Sequence, residues 1–310
     1  MSPRRKHPEE FTSYYGRPIL KKPTWSAVDI AGYIFAGGLA GASSMLAAGA
    51  QHSGRPSLER RSKVLALTAI SASAVSLVHD LGRPERFLNM LRMAKPTSPM
   101  SMGSWILSIY GPLAGASAAS NVLGILPRAG RACGVGAAVA GAAVATYTGV
   151  LLADTAVPTW HDAHEVLPFV FAGSAAASAG GVGAALAPLS EAAPARRMAV
   201  GGAVVETLMS FKMERSGQLS TETLHQGRAG TLLRLSKAFT VGGAVALALG
   251  GRQSRLLSTM GGLPVAAGSA LLRFGVFEAG VASTLDPKYV VVPQRQRADA
   301  AAQKTDSVGV

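Results

Sequence analysis

Two polar segments carry most of the residues that could do chemistry in this chain of 310 residues. The first covers residues 79–87 and has the sequence HDLGRPERF, in which Gly82 and Pro84 predict a turn between charged side chains. The second covers residues 147–165 and combines histidine, aspartate and tryptophan. Each segment alone is also compatible with a solvated loop. The first segment follows the second apolar stretch and the second segment follows the fourth, so both emerge on the same side of the membrane. Together they predict one polar surface.

A metal centre is one chemistry that the second segment suggests. His161 and His164 are three residues apart, with Asp154 and Asp162 nearby, but no third ligand follows at metal-like spacing. Docking of a partner and capping of the next helix are therefore favoured for these residues. The single Cys133 cannot by itself hold an iron–sulfur cluster or a structural zinc ion, and the six histidines lie mostly at helix ends. We therefore expect no bound metal or haem.

Eight apolar stretches separate and position these polar segments. Each is about 20 residues long, which is enough for a helix to cross the hydrocarbon core of a bilayer. The predicted fold is an all-α membrane protein with eight transmembrane helices in two four-helix bundles. We expect a soluble N-terminal arm over residues 1–24, the membrane domain over 25–285 and a flexible tail over 286–310. The predicted spans are residues 27–50, 63–81, 102–126, 132–153, 166–186, 195–211, 231–250 and 256–282.

Composition and charge agree with a membrane protein. Only 15% of the residues are charged and the mean hydropathy is +0.28, whereas soluble domains carry about 25% charged residues. The net charge of +13 does not indicate nucleic-acid binding, because the cations lie in short segments between the spans. The membrane face that carries the termini has 17 lysines and arginines against 10 on the other face, which predicts that the termini are cytoplasmic. We expect the protein in the plasma membrane. The polar residues 1–24 do not resemble a cleavable signal.

Charged residues also fall inside the later spans. An unpaired arginine or lysine at the centre of a membrane helix costs about 2.5–3.5 kcal/mol on insertion scales. We therefore expect partners for the four charges within the bilayer: Glu206 with Lys237, and Arg273 with Glu278. A structural ion pair is the favoured interpretation of these residues, and a proton path is the alternative. Arg234, near a helix end, is expected to extend its side chain to the membrane surface.

Three sequence runs resemble the NrfD family of polysulfide-reductase-type membrane subunits. They are HDLGRPERFLNML, SPMSMGSWILSIYG and YTGVLLADTAVPTWHDAHEVLPFVFAGSAAASAGG, and residues 15–20 are also similar to some members. The resemblance covers roughly residues 14–285. It implies a membrane anchor for an iron–sulfur subunit, with a molybdopterin-type catalytic subunit beyond it. Such an anchor exchanges electrons with menaquinone or ubiquinone and holds no metal or haem itself, so it has no activity alone.

The resemblance also implies a quinone slot within the first four helices. Polar side chains one turn apart on the first span bind the quinone in the family, and Asp29 and Tyr33 have that spacing here, although some members carry Asn and His instead. Tyr147 matches the family's quinone-contacting tyrosine on span 4. His79 and Asp80 lie at the depth where a proton could enter or leave. Placement in an aromatic belt at the membrane surface is the alternative for both tyrosines.

The same polar surface is expected to bind the iron–sulfur partner. Arg83 and Arg86 would pair with Asp80 and Glu85, or with acidic groups on the partner. The residues predicted to dock the partner are Asp80, Arg83, Arg86, Asp154, Trp160 and His161.

Two other functions compete with this prediction. Eight glycine-rich spans with buried charges would also suit a secondary transporter or channel, for which an inverted repeat is typical. No such repeat is apparent between residues 25–155 and 160–285. A purely structural anchor without quinone binding is the third possibility.

Overall fold

The computed structural model describes residues 19–83 and 85–308, and these residues form helices and no strand. Most of the predicted arm, together with Pro84, lies outside the described residues. A short 3₁₀ helix, Leu219–Leu224, precedes α9. The α-helices are α1 (Ala27–His52), α2 (Pro56–Leu81), α3 (Glu85–Leu91), α4 (Pro99–Leu123), α5 (Pro127–Ala153), α6 (Pro158–Asp162), α7 (Leu167–Leu186), α8 (Ala193–Glu214), α9 (Gly227–Leu249), α10 (Arg255–Leu285) and α11 (Lys288–Val308).

Seven of the described helices are long and apolar enough to cross a membrane, namely α1, α2, α4, α5, α7, α9 and α10. This makes the chain a multi-pass membrane protein and confirms seven of the eight predicted spans. The remaining predicted span, residues 195–211, is the sixth along the chain and corresponds to α8. It is helical but too polar to qualify by composition, because Arg196, Arg197, Glu206, Lys212 and Glu214 interrupt its apolar residues.

The helices begin and end at residues that suit those positions. Proline occupies the first turn of α2, α4 and α5, where its missing N–H costs no helical hydrogen bond. Ser26 caps α1 by accepting from the backbone N–H of Asp29 (3.4 Å). Gly82 ends α2 in the left-handed conformation (φ +69°) and starts the turn that the sequence predicted.

The tail, predicted to be flexible, forms helix α11, and its first turn is attached to the rest of the chain. Lys288 pairs with Glu222 of the 3₁₀ helix (2.8 Å), and this hydrogen bond raises the pKa of the Lys288 ammonium. Tyr289 is buried beside them. An ion pair and a buried ring therefore attach the start of this segment to the rest of the protein.

Three helices form the interior of the molecule. About 72% of the most apolar stretch is buried in α1 and in α7, and 61% in α10. The corresponding share is 22% in α2 and α4, so these less buried helices have the surfaces that face lipid. α1 packs against α2 and α5, and α5 packs against α4. α7 packs against α8 and α10, and α10 packs against α9. Contacts of α1 with α7 and α10 join these two groups of helices.

Glycine permits the closest helix crossings. At the crossing of α1 and α5, a Cβ atom on Gly141 would lie 2.6 Å from the Gly41 carbonyl oxygen. Gly181 of α7 meets Gly262 of α10 in the same way. Without a hydrophobic effect between helices in lipid, such backbone contact is a main source of association.

We predict that Gly41→Ala destabilises the protein by about 1–3 kcal/mol, because the added methyl group would overlap the Gly141 backbone. The measurement is unfolding of the purified protein in detergent. Gly49→Ala is the matched control on the same helix, since a Cβ there meets no atom within 4 Å and alanine favours the helix. Equal stability of the two variants would contradict a close crossing at Gly41.

Candidate functional site

A cavity of about 330 Å³ lies between α1, α2, α4 and α5. The segment before α1 and the short helix α3 contribute to its outer end. Its volume is at the lower end of the range of ligand pockets, about 300–1,000 Å³. Its wall is mostly apolar, with Ile30, Ile34, Leu77, Leu107, Leu151 and Leu152. The polar lining residues are Thr24, Tyr33, Asp80, Arg86, Ser104 and Tyr147.

Two tyrosines meet inside this cavity. The hydroxyl groups of Tyr33 and Tyr147 form a hydrogen bond with each other, and both side chains are buried. Gly103 of α4 lies against the Tyr147 ring, where any Cβ would overlap the aromatic carbons. Ser73 of α2 donates to the backbone carbonyl of Tyr33 (3.0 Å). Neighbouring helices therefore fix both rings, and two hydroxyls that each donate and accept face an apolar space.

Beside the cavity, the Asp29 carboxylate lies 3.0 Å from Nδ1 of His79, a contact that is an ion pair when the ring is protonated. His79 is largely exposed and Asp29 is partly buried. Neither belongs to the described cavity wall, so the structure separates them from the two tyrosines with which the resemblance grouped them. The pair instead lies between the polar surface and the α1 residues that line the cavity.

Asp80 and Arg86 line the cavity, although the sequence predicted both for partner docking. The Asp80 carboxylate accepts from the backbone N–H of Ser26 (3.2 Å), which joins the end of α2 to the start of α1. Arg86 donates to the backbone carbonyl of Leu81 (2.9 Å), not to the predicted carboxylates of Asp80 or Glu85. Local backbone geometry explains this, because the free carbonyls at the end of α2 lie next to the start of α3.

Trp160 has no exposed surface, so the structure does not support its predicted role in docking. Its indole N–H donates to the carbonyl of Val276 (2.8 Å), and its ring packs on Phe277 with 5.4 Å between ring centres. Trp25, which lines the cavity, stacks on the indole with 6.2 Å between ring centres. Trp160 was predicted on the polar surface with the histidines and aspartates of the second segment, but α10 covers it and Gly280 leaves room for the ring.

Three of the polar residues that the second segment offered for docking or metal binding are at the surface. Asp154, His161 and His164 are exposed, and the two imidazole rings stack with 5.9 Å between centres. Asp162 accepts a hydrogen bond from Ser220 of the 3₁₀ helix (2.5 Å). Among the described residues, no three histidine, cysteine, aspartate or glutamate side chains group closely enough to hold a metal ion.

A second polar cluster lies between α7, α8, α9 and α10. The Glu206 carboxylate accepts from Thr240 (3.0 Å) and Ser269 (2.9 Å) and is fully buried. Arg273 is buried with it, donates to the Phe171 carbonyl (2.7 Å) and lies 3.7 Å above the Phe171 ring centre. Glu206 and Arg273 share this cluster, but no nitrogen of Arg273 lies within 4.0 Å of the Glu206 carboxylate, and Nε and Nη1 of Arg273 make no hydrogen bond within the described residues.

The predicted pairing of the intramembrane charges was wrong. Lys237 pairs with Glu214 at the end of α8 (2.5 Å), and Glu278 lies 3.8 Å from the exposed Arg228. Five residues separate Arg273 from Glu278, which puts them about 140° apart around the helix. Arg273 therefore faces α7 and α8, whereas Glu278 faces the start of α9.

Sequence reasoning missed a third polar group, at the far end of the same four helices. Lys63 is buried and pairs with Glu59 (2.7 Å), and Asn121 of α4 donates to the same carboxylate (3.3 Å). Next to it, Ser44 and Tyr110 share a hydrogen bond of 2.8 Å. The i,i+4 spacing of Glu59 and Lys63 was the available signal, because such pairs commonly interact on a helix.

Comparison with known families places this arrangement in context. The family model for polysulphide reductase, NrfD, matches residues 20–213, which is more than half of the chain. The match includes α1, α2, α4 and α5, the helices around the cavity. No curated protein matches the chain significantly.

We predict that Glu206→Gln lowers the free energy of unfolding by about 1–3 kcal/mol, because the buried carboxylate accepts hydrogen bonds from Thr240 and Ser269 and an amide cannot accept both with the same geometry. Thermal unfolding in detergent measures this change. Glu278→Gln is the control, since its partner Arg228 is exposed and such pairs contribute at most about 1 kcal/mol. If both variants unfold alike, the hydrogen bonds of Glu206 do not stabilise the protein.

Proposed function

Because the chain belongs to the NrfD polysulphide reductase family of membrane proteins, we propose that it is the quinone-reactive membrane subunit of a multi-subunit oxidoreductase. In this role it exchanges electrons between an iron–sulfur partner subunit and a membrane quinone, with a molybdopterin-type catalytic subunit beyond the partner. The observation that carries the proposal is the apolar cavity in which the hydroxyls of Tyr33 and Tyr147 meet.

The cavity suits a quinone head group for two reasons. Its leucine and isoleucine wall matches the faces of a flat apolar ring, and the tyrosine hydroxyls can donate to a ring oxygen. The hydrogen bond between Tyr33 and Tyr147 gives each hydroxyl a partner that a quinone oxygen can replace. Menaquinone or ubiquinone is the substrate that we expect, and it brings the redox chemistry with it.

Quinone reduction also takes up protons, which need a route between the cavity and water. Asp80 lies in the cavity wall and Asp29 pairs with the exposed His79 close by. We propose that these three residues transfer protons between the cavity and the polar surface. In this route the Tyr33 and Tyr147 hydroxyls would donate hydrogen bonds to the ring oxygen, Asp80 would give the proton up to the cavity on reduction, and a proton taken from water by the exposed His79 and by Asp29 would replace it.

The partner would dock on the membrane face at which the cavity opens. The start of α1, the end of α2, the start of α4 and the end of α5 all lie at this face, because the four helices alternate in direction. The exposed Arg83, Asp154 and His161 are the docking residues that we retain from the prediction. Electrons from a cluster on this face would then have a short path to the cavity.

We further propose that α8 also crosses the membrane, which gives eight spans in two four-helix bundles. Glu206 of α8 is buried against α9 and α10, so its charge does not face lipid. The excess of lysine and arginine on the face that carries the termini supports cytoplasmic termini, and we propose the plasma membrane as the location. In the second bundle we propose a structural role for Glu206 and Arg273, with a transporter or channel as the alternative function.

We predict that Tyr147→Phe lowers quinone-linked turnover of the assembled complex about tenfold or more, because the hydroxyl that contacts the ring oxygen is lost. Turnover with a soluble quinol analogue, and binding of a quinone-site inhibitor, measure the effect. Tyr110→Phe is the matched control, since this buried tyrosine bonds Ser44 outside the cavity wall. Unchanged turnover in Tyr147→Phe would remove the residue from the site.

We predict that an iron–sulfur protein copurifies with the tagged chain in mild detergent and that Arg83→Glu with His161→Glu abolishes most of this copurification. The first substitution reverses a positive charge and the second adds a negative charge on the exposed docking face. The yield of iron and of the second polypeptide measures binding. Arg128→Glu, exposed on the other membrane face, should leave it unchanged. Ion or solute flux through the purified chain in liposomes, without a copurifying iron–sulfur protein, would favour the transporter alternative.

A further inference from the structure

Three arginines come together at the membrane face opposite to the cavity. Arg196 and Arg197 lie in the first turns of α8, and Arg252 lies between α9 and α10. Arg197 and Arg252 are both close enough to repel the Arg196 guanidinium. The contact is tight, because a Cβ on Gly251 would lie 3.0 Å from Cδ of Arg196.

This arginine cluster has no countercharge among the residues that the structure describes. No carboxylate there lies within 4.0 Å of the three guanidinium groups. Glu191, the acidic residue in the preceding loop, accepts instead from the backbone N–H of Leu58 (2.9 Å). Nη1 of Arg196 is buried and makes no hydrogen bond within the described residues. A buried charged donor without a partner is costly, so the cluster favours an anion.

The backbone adds to the positive potential at this position. α8 begins here, and its N-cap residue, Ala192, offers no side chain to the free N–H groups. The positive end of the helix dipole therefore coincides with two arginines, an arrangement that destabilises the helix start unless an anion is present.

Apolar residues beside the cluster indicate which anion binds. Leu249, at the end of α9, is 75% exposed, and Leu256, at the start of α10, is 68% exposed. In a membrane protein such surface contacts acyl chains. Arginine side chains bind phosphate well, so an arginine cluster next to lipid-facing leucines suits a ligand that has an anionic head group and two apolar chains.

We propose that Arg196, Arg197 and Arg252 bind the phosphate of an anionic phospholipid whose acyl chains lie along Leu249 and Leu256. The bidentate fork of arginine suits phosphate oxygens, and the bound lipid neutralises the cluster between α8 and the α9–α10 turn. This site is remote from the quinone cavity, and the proposal does not depend on the proposed function.

The test compares lipid binding by the full-length protein and by two double variants, each purified in detergent and delipidated. Native mass spectrometry measures retention of added phosphatidylglycerol, and thermal unfolding measures its effect on Tm. Wild type should retain phosphatidylglycerol, and its Tm should rise with this lipid but not with phosphatidylcholine. Arg196→Gln with Arg252→Gln should weaken binding at least tenfold. Arg128→Gln with Arg131→Gln, which removes equal charge on the same face, should bind like wild type.

Several outcomes would overturn the proposal. Undiminished binding by Arg196→Gln with Arg252→Gln would exclude these residues. An equal Tm rise with inorganic phosphate would indicate a site for a free anion, and an equal rise with phosphatidylcholine would show that head-group charge does not matter. Should the double variant fail to fold, Arg252→Gln alone decides, because Arg252 lies in an exposed turn. Its retention of phosphatidylglycerol should fall severalfold, and unchanged retention would refute the site.

Discussion

The crossing of α1 and α5 at Gly41 and Gly141 determines the geometry of the cavity. Tyr33 lies eight residues from this crossing on α1, and Tyr147 lies six residues from it on α5, both toward the same membrane face. Backbone contact at the crossing therefore limits the distance between the two rings, and their hydroxyls meet. α4 closes the third side at Gly103, the position at which a side chain would displace the Tyr147 ring. Lipid offers no hydrophobic drive for this association, so small residues at the crossings are what make the site possible.

The same solvent explains how the polar side chains are arranged. Within a bilayer a polar group finds its partner inside the protein, and three buried groups here do so in different ways. Glu206 accepts from two hydroxyls, and Lys63 pairs with Glu59. The tyrosines satisfy each other, yet theirs is the group beside an open cavity. A hydrogen bond between two neutral hydroxyls can be exchanged for one to a ligand at little cost, whereas a buried ion pair cannot.

Sequence patterns predicted helices better than contacts. Seven spans followed from apolar length, although several helices begin a few residues earlier than predicted, and the family match agrees with the resemblance of three sequence runs. Side-chain partners did not follow, because they depend on how helices rotate against each other. Lys237 pairs with Glu214 and Glu278 pairs with Arg228, both near helix ends, and not with the predicted partners. Trp160 is covered by α10. Tyr33 and Tyr147 are 114 residues apart, and only the resemblance, not their spacing, suggested that they act together.

The two groups of helices differ in how they arrange polar side chains. The group of α1, α2, α4 and α5 keeps neutral hydroxyls around an open space. The group of α7 to α10 buries Glu206 and Arg273 among closely packed helices. Trp160 connects the two groups, since its ring packs against Phe277 of α10 and against Trp25 at the cavity wall. Through these ring contacts the second group supports one wall of the cavity, although none of its described residues lines the cavity.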